Sequence, residues 1–199
     1  RYCKKITDLE YIEAEEYCMD QQVKRVKREL VKNGAILDIY TDTMQLPDGK
    51  LEEWDFISHR KGAAAVVPVR GDGKILMVRQ YRNALERETL EIPAGCRDSK
   101  TEDTAYCAAR EMEEETGYRS TNVKHLLSLR TTVAFCDEAV DIFVATDLEV
   151  GTRHLDEAES IDVEIYTLEE LCDMIYEGKI QDGKTIAAIM AYAAAKKGG

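Results

Sequence analysis

The stretch "REMEEETGY" (residues 110–118) gathers Glu111, Glu113, Glu114 and Glu115 beside Arg110, directly before a Thr-Gly stop. Like charges one helical turn apart cost roughly a few tenths of a kcal/mol each. Such a run is either a solvated face or a place where something positive sits. With about 100° between successive helical residues, Ala105, Ala108, Ala109, Met112 and Thr116 form one narrow stripe of mostly small side chains, suited to pressing against a sheet. Glu111 and Glu115, spaced i and i+4, stack on the flank of that stripe with Glu114 beside them. Glu113 points the other way, toward solvent or a surface partner. Three carboxylates at the edge of a buried face suit a hard, partly hydrated divalent cation, Mg²⁺ or Mn²⁺.

The elements that must position this helix are legible as patterns. Residues 8–33 carry apolar side chains at Leu9, Ile12, Tyr17, Val23, Val26 and Leu30, then Asn33-Gly34, which predicts a helix running from acidic to basic along its length. "AILDIYTDTMQLPDGKLEEWDFISHR" predicts a hairpin turning at Pro-Asp-Gly, and "GAAAVVPVR", "GDG" and "KILMVRQYR" predict a second one. "ETLEIPAG" reads as a short strand broken by Pro93, and residues 101–117 as the acidic helix. Strands follow at "VKHLLSLRTTV", "EAVDIFVATDL" and "SIDVEIYTL", then helices at "LEELCDMIYEG" and "KTIAAIMAYAAAKK". The expected class is α+β with a mixed sheet. Residues 1–60 read as an N-terminal helix-and-hairpin extension, and residues 61–199 as the main domain.

Composition narrows the function. The 199 residues carry 44% hydrophobic and 33% charged side chains, as a soluble folded domain does. With 27 Lys and Arg against 39 Asp and Glu, the net charge of −12 speaks against a nucleic-acid backbone as partner. A small anion remains possible, because a bound cation reverses the sign locally. No apolar run suits a bilayer and no secretory leader is evident, so no membrane association and a cytoplasmic location are expected. The six cysteines contain no C-x-x-C pair, and the three histidines are not spaced for zinc, which predicts reduced thiols.

"GCRDSKTEDTAYCAAREMEEETGY" resembles the Nudix box, G-x5-E-x7-R-E-U-x-E-E-x-G-U with U a bulky apolar residue. Gly95, Glu102, Arg110, Glu111, Met112, Glu114, Glu115, Gly117 and Tyr118 fill its positions in box 95–118, although six residues rather than five separate Gly95 from Glu102. The resemblance implies a Nudix α/β/α sandwich and a loop–helix–loop that binds Mg²⁺ or Mn²⁺. Glu111 and Glu115 match the principal ligands, and Glu114 an additional ligand or water-orienting residue. The backbone carbonyl near Ala94-Gly95 completes the shell, and Glu102 and Arg110 match a salt-bridged pair that shapes the loop. The implied reaction is hydrolysis of a diphosphate linkage, in which metal neutralises the phosphate oxygens and acidifies a water.

Three features outside the box resemble the ADP-ribose pyrophosphatase branch: "LEIPAG", "VRQYR", and the N-terminal hairpin leading into "SHRKGAAAVVPV". That resemblance implies a nucleotide-sugar substrate and a homodimer whose chains share each site. Arg79 and Arg82 would meet phosphate or ribose oxygens, with edge-strand ion pairs as their competing role. Glu91, alternating with Leu90 and Ile92, would leave the core face and bond ribose or the terminal sugar. Trp54, the only Trp, would stack on adenine or lie in the core or dimer interface. The branch's S-P-G-x-x-x-E stretch stands here as "TTVAFCDEAVDIF", without Pro-Gly, and Glu138 aligns with the loop glutamate that serves as base or extra ligand. Cys136 has no activating neighbour in sequence and is rejected as a nucleophile. The competing functions are a Nudix pyrophosphatase for nucleoside triphosphates or GDP- and UDP-sugars, and a non-catalytic nucleotide-sugar sensor. Intact box carboxylates count against the sensor.

Overall fold

A computed structural model describes residues 22–155 and 160–198, and the chain separates into two units between Ser58 and His59. The first unit holds one sheet in the order β1 (Lys24–Asn33), β2 (Leu37–Gln45), β3 (Leu51–His59). Residues 24–33 are therefore strand, which corrects the expected helix over residues 8–33; residues 8–21 of that reading lie outside the described residues. The register explains the error. β1 pairs antiparallel with β2 but slips between Arg25 and Lys27 and again between Leu30 and Lys32. Val26 and Val31 are the extra residues at these two bulges, and each bulge shifts the alternation by one. The first shift leaves Val26 three residues after Val23, and with Leu30 four further on the spacing imitates a helix. The expected hairpin at Pro47-Asp48-Gly49 is present, with the Gly49 N–H donating to Leu46 O at 2.9 Å. Inside the sheet, Asp42 is buried against Arg28, whose Nε and Nη2 reach its two oxygens at 2.6 and 2.5 Å. The same guanidinium lies 3.7 Å from the Phe56 ring centre.

The second unit follows in the order β4 (Ala63–Pro68), β5 (Ile75–Arg82), β6 (Arg87–Glu91), β7 (Ala94–Cys96), α1 (Thr104–Thr116), β8 (Tyr118–Arg119), β9 (Asn122–Arg130), β10 (Ala139–Thr146), β11 (Glu149–Val150), β12 (Ile161–Tyr166), α2 (Leu168–Tyr176) and α3 (Gly183–Gly198). One sheet runs β7-β4-β10-β9, with β4 and β10 parallel and the outer pairings antiparallel. A second runs β12-β5-β6, antiparallel throughout. β4 lies at the centre of the unit. Its side chains alternate between two cores: Ala64 and Val66 meet Cys107, Ala108 and Met112 of α1, while Ala65 and Val67 join the core containing Leu171 of α2 and Ile189 of α3. Helices cover both faces, which is why this strand reads as an unbroken apolar run. The result is the expected α/β/α sandwich with a mixed sheet.

The second expected hairpin is corrected in one respect. β4 and β5 are joined by a tight turn, with the Arg70 N–H donating to Lys74 O at 2.8 Å. Yet only an isolated bridge, Val69 with Ile75, connects them, and they belong to different sheets. Pro68, which has no N–H for a ladder, ends β4 just before the divergence.

Candidate active site

Helix α1 begins at Asp103, whose side chain accepts the Tyr106 N–H at 2.9 Å, and stops at Gly117 in the left-handed region (φ 75°). The positive charge demanded by the acidic run is supplied first by Arg110. Its Nη1 donates to Glu111 at 2.8 Å and to Glu114 at 2.9 Å, its Nε to Glu102 at 3.3 Å, and its Nη2 to Cys96 O at 3.2 Å. Burial by itself would lower the Arg110 pKa, but the surrounding carboxylates, Glu111 foremost, hold it above its ordinary value. Glu102 also accepts the Asp98 N–H at 2.6 Å, and Arg97 spans the loop to Glu102 O at 2.9 Å. These bonds secure the one-residue-longer entry loop.

Two box glutamates press on the strand that enters the helix. A Cβ at Gly95 would fall within the Glu111 carboxylate, so only glycine leaves that space. Glu115 is buried and accepts the Ala94 N–H at 3.2 Å. The Ala94-Gly95 backbone thus lies against both i, i+4 carboxylates, whose oxygens suit a hard divalent cation. Among the described residues no three Asp, Glu, His or Cys side chains stand ready around one point. Arg110 bridges Glu111 and Glu114 instead.

On the outer side of α1, Glu113 meets a surface partner, one of the two settings its spacing suggests. Its Oε1 accepts the Thr152 N–H at 3.2 Å and lies against Gly151. Tyr106, Arg110, Glu114, Arg119 and His154 line a cleft of about 440 Å³ there. Ala109, placed on the buried stripe by its spacing, also faces this cleft, while Cys107 takes a fully buried position.

The expected substrate contacts separate into distinct settings. Arg79 pairs with Glu164 across β5 and β12, and Glu164 also accepts from Tyr166. Trp54 is half exposed on β3, with Nε1 3.5 Å from Glu52. Glu91 does not leave the core; it is 2% exposed. Arg82 grips it with Nε at 2.7 Å and Nη2 at 2.6 Å, Thr89 Oγ1 donates at 2.6 Å, and Lys184 Nζ pairs with the second oxygen. Burial would raise the Glu91 pKa, but Arg82 and Lys184 outweigh it and hold the carboxyl at about 2. Lys184 was missed in the sequence. The signal was there: a lysine in the first turn of α3 opposes the helix dipole and needs an acidic partner. Asp182, which accepts the Thr185 N–H at 3.0 Å, marks that helix start.

Glu138 ends the loop between β9 and β10. Its Oε1 lies 3.6 Å from His59 Nε2, and that same nitrogen is 3.7 Å from Cys96 Sγ. Burial first, then the Glu138 and Glu111 carboxylates, push the Cys96 thiol pKa up. The loop glutamate and a box glutamate therefore act on one side chain, and that thiol stays protonated. The described cysteines 96, 107, 136 and 172 are all free.

A sandwich with a glycine loop feeding an acidic helix, locked by an Arg–Glu pair, defines a protein of the Nudix class. The sequence pattern of the NUDIX domain matches residues 59–189, and the chain belongs to that family. The ADP-ribose pyrophosphatase of Bacillus subtilis (strain 168) is 39% identical over 168 residues, covering 83% of this chain and 90% of that protein. The methanol dehydrogenase activator of Bacillus methanolicus is 38% identical over 168 residues, with the same 83% and 90% coverage. The crystal structure of an ADP compounds hydrolase matches the fold with a TM-score of 0.81 at 20% identity, over 89% of this chain and 96% of that one.

Two predictions follow from this geometry. Gly95→Ala should displace the Glu111 carboxylate and abolish most metal-dependent hydrolysis, with circular dichroism and melting little changed; wild-type turnover would contradict the placement. Glu91→Gln should destabilise the fold by about 3–5 kcal/mol at pH 7, because two cations lose their buried partner. A carboxyl whose folded pKa is depressed, here from 4.5 to about 2, contributes stability above the unfolded value and loses it as pH falls through the folded one. The stability gap between wild type and Glu91→Gln, measured by urea unfolding, should therefore narrow as pH drops from about 4.5 toward 2. A gap that is constant across this range would contradict the ion cluster.

Proposed function

We propose that the chain hydrolyses the diphosphate linkage of ADP-ribose or a related nucleotide sugar, with Mg²⁺ or Mn²⁺, to a nucleoside monophosphate and a sugar phosphate. The observation that carries this reading is the pressing of Glu111 and Glu115 onto the Ala94-Gly95 backbone. The 39% identity to a protein named ADP-ribose pyrophosphatase supports the substrate class.

In this reading Glu111, Glu115 and the Ala94 carbonyl hold the cation, and Glu114 adds a ligand or orients the water. When bound, the cation neutralises diphosphate oxygens and lowers the pKa of a water. A box carboxylate engaged with a cation is a poor proton acceptor, so the base comes from outside the helix. Glu138 takes that role. Arg82, whose side chain is still 40% exposed while it grips Glu91, offers its outer edge to phosphate or ribose oxygens. Arg79 and Glu91 serve the framework that holds Arg82 and β5 in place.

The same proposal includes a cytoplasmic homodimer. Val26, Leu30, Val31, Leu51 and Trp54 are exposed on the N-terminal sheet, an unusual load of apolar surface for three strands. A second copy covering them would also bring Trp54 to a shared site. Among the described residues no helix is long and apolar enough to cross a membrane.

The test is incubation with Mg²⁺ and a panel of nucleotide sugars and nucleoside triphosphates, with products identified by mass. AMP and ribose phosphate from ADP-ribose are expected; preference for triphosphates, or binding without turnover, would overturn the reading. Glu115→Gln should remove most activity, and Glu138→Gln should lower kcat roughly 10²–10⁴-fold with little change in KM. Light scattering of the intact chain should give a dimer mass, and a well-behaved monomer would contradict that part.

A further inference from the structure

We propose that His59 is a positioning residue that orients the Glu138 carboxylate for proton transfer. This rests on the reading of Glu138 as the base. The His59 side chain is only 6% exposed, at the end of β3, between the Glu138 loop and the strand that enters the box. The Gly62 N–H donates to its Nδ1 at 3.0 Å, which uses that nitrogen's lone pair and leaves the ring proton on Nε2. Nε2 is the atom that faces Glu138 Oε1 at 3.6 Å and Cys96 Sγ at 3.7 Å.

The tautomer decides among the roles this cluster offers. A soft-metal site made of His59, Cys96 and Glu138 needs a lone pair on Nε2, and that position holds a proton. A Cys–His nucleophile needs the same lone pair to accept the thiol proton, and so is excluded too. What remains is an N–H donor standing between the Cys96 sulfur and the Glu138 carboxylate. Among the described residues, no other side chain pairs with Glu138. At 3.6 Å the contact lies outside hydrogen-bond range, but catalytic hydrogen bonds are often long in free enzymes and tighten once substrate binds.

The physical benefit is orientation. A donor on Oε1 fixes the carboxylate plane and leaves Oε2 to accept the proton from water. The loop is tied separately, because the His59 backbone N–H donates to Asp137 Oδ1 at 2.8 Å. Removing the ring therefore leaves that tie in place.

The experiment measures kcat and KM for ADP-ribose with Mg²⁺ in wild type, His59→Ala, His59→Gln, Glu138→Gln and the His59→Ala/Glu138→Gln double variant. His59→Ala should lower kcat about 10- to 100-fold with KM little changed, the size expected for a misoriented group. His59→Gln, whose amide N–H reaches the Nε2 position, should recover most of the loss. In the Glu138→Gln background the alanine change should cost nothing further. Losses that multiply in the double variant, or no rescue by glutamine at matched melting temperature, would overturn the role of His59. If Glu138→Gln itself turns over normally, the reading of Glu138 fails and the inference fails with it.

Discussion

Arg110 is the charge on which the acidic helix depends. One guanidinium, largely enclosed, meets Glu102 from the entry loop, Glu111 and Glu114 from its own helix, and the Cys96 carbonyl from the preceding strand. Without it, Glu102, Glu111 and Glu114 would lose the cation that they have in common. Removing one partner from such a cluster costs far more than the cluster adds in net stability, since the charges left behind are already desolvated. The same contacts connect loop, strand and helix, so electrostatic balance and the shape of the box are a single constraint.

The sandwich supplies the rigidity this constraint needs. β4 contributes alternate side chains to two cores, so α1 on one face and α2 with α3 on the other are held by the same six residues. Small side chains at Ala64 and Ala108 let α1 approach the sheet closely enough for Glu115 to reach the Ala94 N–H. On the other side, the Glu91 cluster joins β5, β6 and the start of α3 through Arg82 and Lys184. Glu91 and Glu115 are buried in these two polar centres, while Arg82 and Glu114 keep part of their side chains in solvent. The two centres differ in their cations: Glu91 meets Arg82 and Lys184, whereas Glu102, Glu111 and Glu114 all meet Arg110.

What the sequence revealed, and what it hid, follows from the range of each interaction. The box was legible because its carboxylates, its arginine and its glycines lie within 24 residues of continuous chain (95–118). The alternation of β4 and the capping residues of the helices were local signals as well. The strand at 24–33 was misread because two bulges, visible only through pairing with β2, broke its alternation. The burial of Glu91 depends on Lys184, 93 positions away, and nothing near Glu91 announces it. His59 and Glu138 meet because β4 and β10 run in parallel register, Ala63 beside Val140. Such partners emerge only when the sheet order is known.

The central claim is that the edge of α1 facing Ala94-Gly95 takes a divalent cation through Glu111 and Glu115. Its most direct test is a titration with Mn²⁺ followed by the electron paramagnetic resonance signal of the free ion, which needs no substrate and no turnover. The intact chain and the Glu113→Gln variant should both remove Mn²⁺ from solution with the same affinity, while Glu111→Gln should lose that uptake. Equal uptake by Glu111→Gln and the intact chain would contradict the account.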